Sequence, residues 1–253
     1  MENFFTPDIN RGTYERIVKL LAGQMNLSPD QFVQSYKVMP GTIKMAAYLQ
    51  PGLSSYSLSP RKGVDNPQIP NSILLDFNDF FAITSIGLRF ARATYASGVY
   101  SNQGNYPVLT YPDPNYFSNT GTAVGDERTG LQCVVNGTTA ITVNNDAMID
   151  PISNQELVYN PEGTYVASPL TYPRFGASDG NRGQFPLTPQ IILDASADNA
   201  IQVNLANGLK LNIDGNISTG TTDSGTRNIL YVFMYGIKIK NLAGAGNAVC
   251  GKV

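Results

Sequence analysis

From Thr42 onward the apolar residues of this chain recur at every second position, in short runs broken by Gly, Pro and Asn. A period of two belongs to half-buried β-strands, so most of the chain must find its core between sheets. Residues 42–49 read as a strand ending at Pro51-Gly52, and residues 80–91 form the longest apolar run, rich in β-branched and aromatic side chains. Residues 228–240 are long enough to cross a whole sheet, with Lys238 and Lys240 alternating outward near the end. Asn136-Gly137, the pair favoured in type I′ turns, predicts a hairpin between residues 131–135 and 138–143. Asn207-Gly208 repeats the device between residues 200–205 and 209–213, and Asp214-Gly215 closes another turn. The pattern predicts a mainly β chain built as an antiparallel β-sandwich.

Only the first 40 residues carry helical spacing. Thr6-Pro7 opens one candidate helix, with Ile17, Val18, Leu20 and Leu21 as its apolar stripe up to Gly23. Ser28, Pro29 and Gln31 spell a capping box for a second, whose sticky face is Phe32, Val33 and Tyr36. Neither helix has the apolar area to stand alone. Residues 1–40 therefore read as a helical arm packing on the body or on a neighbouring subunit. The sandwich is expected over residues 41–241, with a flexible tail at 242–253. Residues 51–71, with four prolines, read as a loop. Residues 95–130 and 144–190 read as long loops rich in Tyr-Pro, Asn, Gly and Asp, of the kind that form functional surfaces. The absence of a fixed-period repeat argues against solenoids and propellers.

Composition narrows the chemistry. The 253 residues contain no His and no Trp. Histidine is the side chain that titrates near neutrality and the commonest metal ligand. Its absence removes Ser-His-Asp and Cys-His hydrolases, most zinc enzymes and His-based proton shuttles. The formal charge of −2 is unevenly laid out. Residues 1–62 carry seven Lys/Arg against four Asp/Glu, and residues 210–253 carry five against two. Residues 93–209 carry three against ten, a net of −7. Basic ends and an acidic middle supply an orientation preference in a larger assembly, and no clustered Lys/Arg arm for nucleic acid. Cys133 and Cys250 are too few for a disulfide scaffold. Cys133 reads as a small core residue in a strand, and Cys250 as a free thiol in a Gly/Ala tail. The start, Met1 to Phe5, has no basic n-region and no stretch is apolar enough to span a membrane, so synthesis and folding in a cytosol are expected.

Each candidate site has a plainer alternative. Asp76, Asn78 and Asp79 form the tightest polar cluster and alternate as Ca²⁺ ligands do, without the EF-hand order. The reading preferred here is a strand-entry turn in which Asp and Asn cap backbone groups. Asp126, Glu127, Asp146, Asp150, Glu156 and Glu162 contain the carboxylates a glycosidase pair needs, but nothing in the sequence brings two together. They read as solvated loop charges. Sequons at Asn26, Asn136 and Asn216 are chance matches in an Asn- and Thr-rich chain, Asn136 being better explained by its turn. Gly244 to Gly246 lacks the Lys-Ser/Thr of a phosphate loop. The Tyr-Pro loops, around Tyr111-Pro112 and Tyr172-Pro173, would stiffen contacts between subunits, or alternatively stack sugar rings. No catalytic residue, metal or cofactor is expected.

Three stretches carry a resemblance: residues 73–89, the Asn/Thr/Gly-rich middle, and residues 228–240. Across residues 42–240 the chain resembles virion structural proteins of bacteriophages of the jelly-roll type. The resemblance implies a capsid or capsid-associated shell subunit with copies of itself and other virion proteins as partners. The eight or nine strands fit a single jelly roll; a double one would need strands hidden in both long loops. A different class of protein, a fibre or lectin-like module binding glycan through the Tyr-rich loops, stands as the alternative.

Overall fold

The computed structural model describes residues 11–49, 52–63, 72–96, 99–100, 107–112, 131–159, 183–206 and 225–242. Two helices come first. α1 (Arg11–Gln24) buries Ile17, Val18, Leu21 and Ala22 along one face. It ends in a Schellman cap: Asn26 takes a positive φ of 54°, Asn26 N donates to Gly23 O at 3.2 Å, and Leu27 N donates to Ala22 O at 2.8 Å. Asn26 is thus a helix stop. α2 (Pro29–Ser35) starts as the sequence requires. Ser28 Oγ accepts from Gln31 N at 3.2 Å, and Gln31 Oε1 accepts from Ser28 N at 2.9 Å.

The rest is mainly β. The strands are β1 (Tyr36–Tyr48), β2 (Ser55–Leu58), β3 (Phe80–Ala96), β4 (Val99–Tyr100), β5 (Val108–Leu109), β6 (Thr138–Val143), β7 (Asp146–Ala147), β8 (Ile152–Ser153), β9 (Phe185–Asp194), β10 (Asn199–Asn204) and β11 (Gly225–Asn241). They form two antiparallel sheets. The larger has the order β1-β11-β3, and β9, β5 and β4 follow one another along the far side of β3. The smaller has the order β2-β10-β6, with β7 and β8 side by side along β6. Between the sheets lies one core. It takes Ile43 and Met45 from β1, Phe81, Ile83, Ile86, Leu88 and Phe90 from β3, Ile201 and Val203 from β10, and Leu230, Val232 and Met234 from β11. This is the expected sandwich, its inner faces interdigitating.

The helices pack on their own chain. Ile17, Val18, Leu21, Ala22 and Phe32 cover Ala82, Ile237 and Ile239 on the outer face of the larger sheet. Phe32 stacks on Tyr36 with ring centroids 4.7 Å apart. β1 begins at Tyr36, before the expected Thr42 and across the 40/41 boundary. Pro40 lies within it because β1 is an edge strand, where a missing N–H is tolerated.

Several expected loops contain strands. Residues 51–71 hold β2, residues 95–130 hold β4 and β5, and residues 144–190 hold β7, β8 and most of β9. The two-residue bridges are too short to show a period. Pro186 and Pro189 disguise β9, which accommodates them on the sheet edge by a register break opposite Thr84.

The hairpin expected at Asn136-Gly137 is overturned. Residues 132–135 form a helical turn, α3 (Gln132–Val135), and Cys133 sits half-buried on it rather than in a strand. Asn136 has φ −84°, whereas a type I′ turn needs positive φ at both central residues. Gly137 serves another purpose: a Cβ there would collide with the Asn204 carbonyl. The positive-φ pair is Asn144 (52°) and Asn145 (66°), joining β6 to β7. The turns at Asn207-Gly208 and Asp214-Gly215, the strand at 209–213, Asn216, Gly244 to Gly246 and Cys250 lie outside the described residues.

Two outcomes follow from this packing. Phe32→Ala should cost about 3–5 kcal/mol in denaturant unfolding, as for other fully buried Phe side chains; a loss under about 1 kcal/mol would show that the helices contribute little to the sheet. Gly137→Ala should destabilise through its clash, while Asn145→Gly should be neutral or slightly stabilising. The reverse ranking would restore the hairpin at Asn136-Gly137.

Candidate functional site

The densest polar cluster lies at one end of the sandwich, where β11 stops and β3 starts. β11 places even-numbered residues on the inner face through Met234, and a register shift at Tyr235/Gly236 leaves Thr84 of β3 as the extra residue. Thr84 Oγ1 caps the irregularity by donating to Tyr235 O at 3.0 Å. β11 therefore keeps its phase, and Lys238 and Lys240 fall on the inner side of the sheet, just past the core. The outward alternation expected from the sequence is corrected.

The turn before β3 meets these lysines. Asp79 N donates to Asp76 O at 3.0 Å, which puts Phe77 and Asn78 at an exposed tip. Lys238 Nζ lies 2.8 Å from Asp79 Oδ2, and both side chains are largely buried, at 15% and 7% exposure. Lys62 Nζ donates to Asp76 Oδ1 at 2.7 Å, and Lys240 Nζ lies 4.0 Å from Asp76 Oδ2. Lys37 stands opposite Lys240 across the β1–β11 ladder. Arg61 lies over the Phe77 ring at 5.4 Å from its centroid, and its Nη1 donates to Ala195 O at 3.4 Å. Asp79 O accepts from Ala195 N at 3.0 Å, tying the turn to the β9–β10 connection.

Asp76, Asn78 and Asp79 fall between residue 75 and the start of β3. They form a strand-entry turn, as one reading had it. The carboxylates bind lysine ammonium groups rather than backbone donors, and a Ca²⁺ ion would have to displace them. The Lys62 hydrogen bond holds the Asp76 carboxyl below its ordinary pKa, against an opposing push from burial and with help from the Lys238 and Lys240 charges. A carboxyl moved in that direction is poorly suited to general acid catalysis near neutrality. Among the described residues no group of three or more His, Cys, Asp or Glu converges to hold a metal.

The other candidates lie on other elements. Asp146 starts β7, Asp150 follows it, and Glu156 lies in the 3₁₀ turn Asn154–Leu157; all three are exposed. Asp126, Glu127 and Glu162 lie outside the described residues. Tyr111 is buried, and its hydroxyl accepts from Gln132 Nε2 at 3.0 Å. It anchors its own core instead of offering a platform to a sugar or a neighbour. Tyr172-Pro173 is outside the described residues. Asn136 Oδ1 accepts from Gln155 Nε2 at 3.1 Å. Nearby, buried Asn154 joins β6 to α3, its Oδ1 accepting from Thr139 Oγ1 and its Nδ2 donating to Val134 O, both at 2.6 Å.

The sequence had flagged the two aspartates but not their partners. The available signal was the i, i+2 lysine pair on a strand, together with Arg61-Lys62 just after another. Among the described residues no helix is long and apolar enough to cross a membrane. In comparisons with protein-family models, curated proteins and solved structures, the chain matches none.

The two ion pairs should differ in worth. Asp79→Asn leaves Lys238 largely buried without its counter-charge and should cost about 3 kcal/mol. Asp76→Asn, at the exposed pair, should cost less than about 1 kcal/mol. Because the folded pKa of Asp76 is depressed, its contribution is complete above the unfolded pKa and is lost as pH falls through the folded one. Denaturation of both variants and the parent between neutral and acid pH checks the ranking; equal losses would show that burial does not separate the pairs.

Proposed function

We propose that this chain is a structural subunit of a bacteriophage virion, a capsid or capsid-associated shell protein that acts through protein–protein assembly. The strand order carries the reading. Number the strands β1, β2, β3, β6, β8, β9, β10 and β11 from one to eight. The larger sheet then contains 1-8-3-6 and the smaller 2-7-4-5. A long hairpin rolled up on itself gives this order, with two Greek keys, and such a single jelly roll is a recurrent architecture of viral capsid domains. The two segments that resemble phage virion proteins, residues 73–89 and 228–240, include much of the central pair β3 and β11. Fold alone does not fix function, so this step is one of analogy. The polar chemistry agrees with it: among the described residues, the carboxylates singled out for catalysis or metal binding are paired with lysines or exposed along a sheet edge. In this reading the protein is no enzyme, is made in a host cytoplasm, and has copies of itself and other virion proteins as partners.

Jelly rolls also serve lectins. The glycan alternative loses support from Tyr111, whose ring is buried and whose hydroxyl is engaged.

Light scattering on the purified protein after size-exclusion chromatography tests the proposal. Trimers, pentamers or larger shells are expected, unchanged by added Ca²⁺ because lysines hold Asp76 and Asp79. A strict monomer at every concentration, or a small oligomer that binds sugars saturably and builds no shell, overturns it.

A further inference from the structure

We infer that copies of this chain associate side by side and head to tail, the acidic β7–β8 edge of one against the basic β1–β2 side of the next. The inference rests on the assembly reading above and names the surfaces that reading requires.

The smaller sheet has β2 at one edge and β7 and β8 at the other. Along the β7–β8 edge run Asp146, Asp150 and Glu156, all exposed, with no Lys or Arg anywhere from residue 131 to 159. Met148 stands among them, 43% exposed. Across the same end of the sandwich, at its β1–β2 corner, Arg61 and Lys62 follow β2, and Lys37 and Lys240 lie at the adjoining end of β1 and β11. Within the cluster there, Lys37, Arg61, Lys62, Lys238 and Lys240 outnumber Asp76 and Asp79, a net of +3. Phe77, 59% exposed beneath Arg61, gives this side an apolar centre to match Met148.

Symmetry follows from the charges. A two-fold pairing of either edge with itself would set like charges face to face. Complementarity arises only when one edge meets the other, which makes the contact heterologous, and repeating a heterologous contact generates a ring or an open filament. The acidic edge also resists strand addition. β7 and β8 are two residues each and offer no continuous ladder to an incoming strand. The contact must run through side chains, and exposed charges of this kind are screened by salt.

A charge exchange tests the pairing. One variant carries Asp146→Lys, Asp150→Lys and Glu156→Lys; the other carries Lys37→Glu and Lys62→Glu. Circular dichroism and thermal melting confirm that each is folded, and light scattering follows association from about 50 to 500 mM salt. Each variant alone should associate at least about tenfold more weakly than the parent, as expected for the loss of several exposed ion pairs. An equimolar mixture should regain association, with the two variants alternating. If the parent assembles and both variants assemble equally well, the edge pairing is overturned and the assembly reading stands. If both folded variants fail alone and the mixture also fails, these two surfaces do not meet each other. A parent that stays monomeric at all concentrations overturns both.

Discussion

The pairing of β3 with β11 is the constraint on which the other elements depend. Each strand is 17 residues long, and the two run antiparallel through the middle of the larger sheet. Where the smaller sheet covers their inner faces, and α1 and α2 part of their outer faces, the strands must be apolar on both sides. Near-continuous apolar runs are what double coverage demands of a strand. The outer face beyond the helices is apolar too, with Ala46, Ala91, Ile229 and Tyr231 buried together. Lys44 sits at its border, 4.3 Å above the Tyr231 ring centroid, and burial lowers the pKa of its ammonium group. Helices, edge strands and rim residues all take their places from this central pair.

How much of this was legible depended on how local the cause was. The Ser28, Pro29 and Gln31 box was readable because its hydrogen bonds join residues three apart. The long strands were readable because their period extends over a dozen residues. Asn136-Gly137 misled because its glycine answers to the Asn204 carbonyl, a contact made across the fold. The true positive-φ turn, Asn144-Asn145, lacks the glycine that flags such turns, yet Asn tolerates the left-handed region. β9 was hidden by its prolines, which are acceptable only on an edge, and edge position is a property of topology. The aspartates of the polar cluster stood out by sequence proximity. Their lysine partners did not, since Lys238 is distant in the chain and faces inward only because Thr84 absorbs the register shift.

That cluster also bears on why the sheet has one register. A buried ion pair is weak evidence for stability, because removing two charges from water costs several kcal/mol per ion and good geometry is needed to offset it. Its effect on alternatives is larger. Slipping β11 by one residue would turn Lys238 and Lys240 toward the apolar layer beneath α1 and α2. It would carry Ile237 and Ile239 to the polar rim and leave Asp79 without its partner. Every core residue of the strand would change face at the same step. Lys238 and Asp79 thus discriminate against the slipped ladder on both sides at once, while the apolar residues alone would find some burial in either phase. The charges that close the end of the core are the same ones that give that end its basic character.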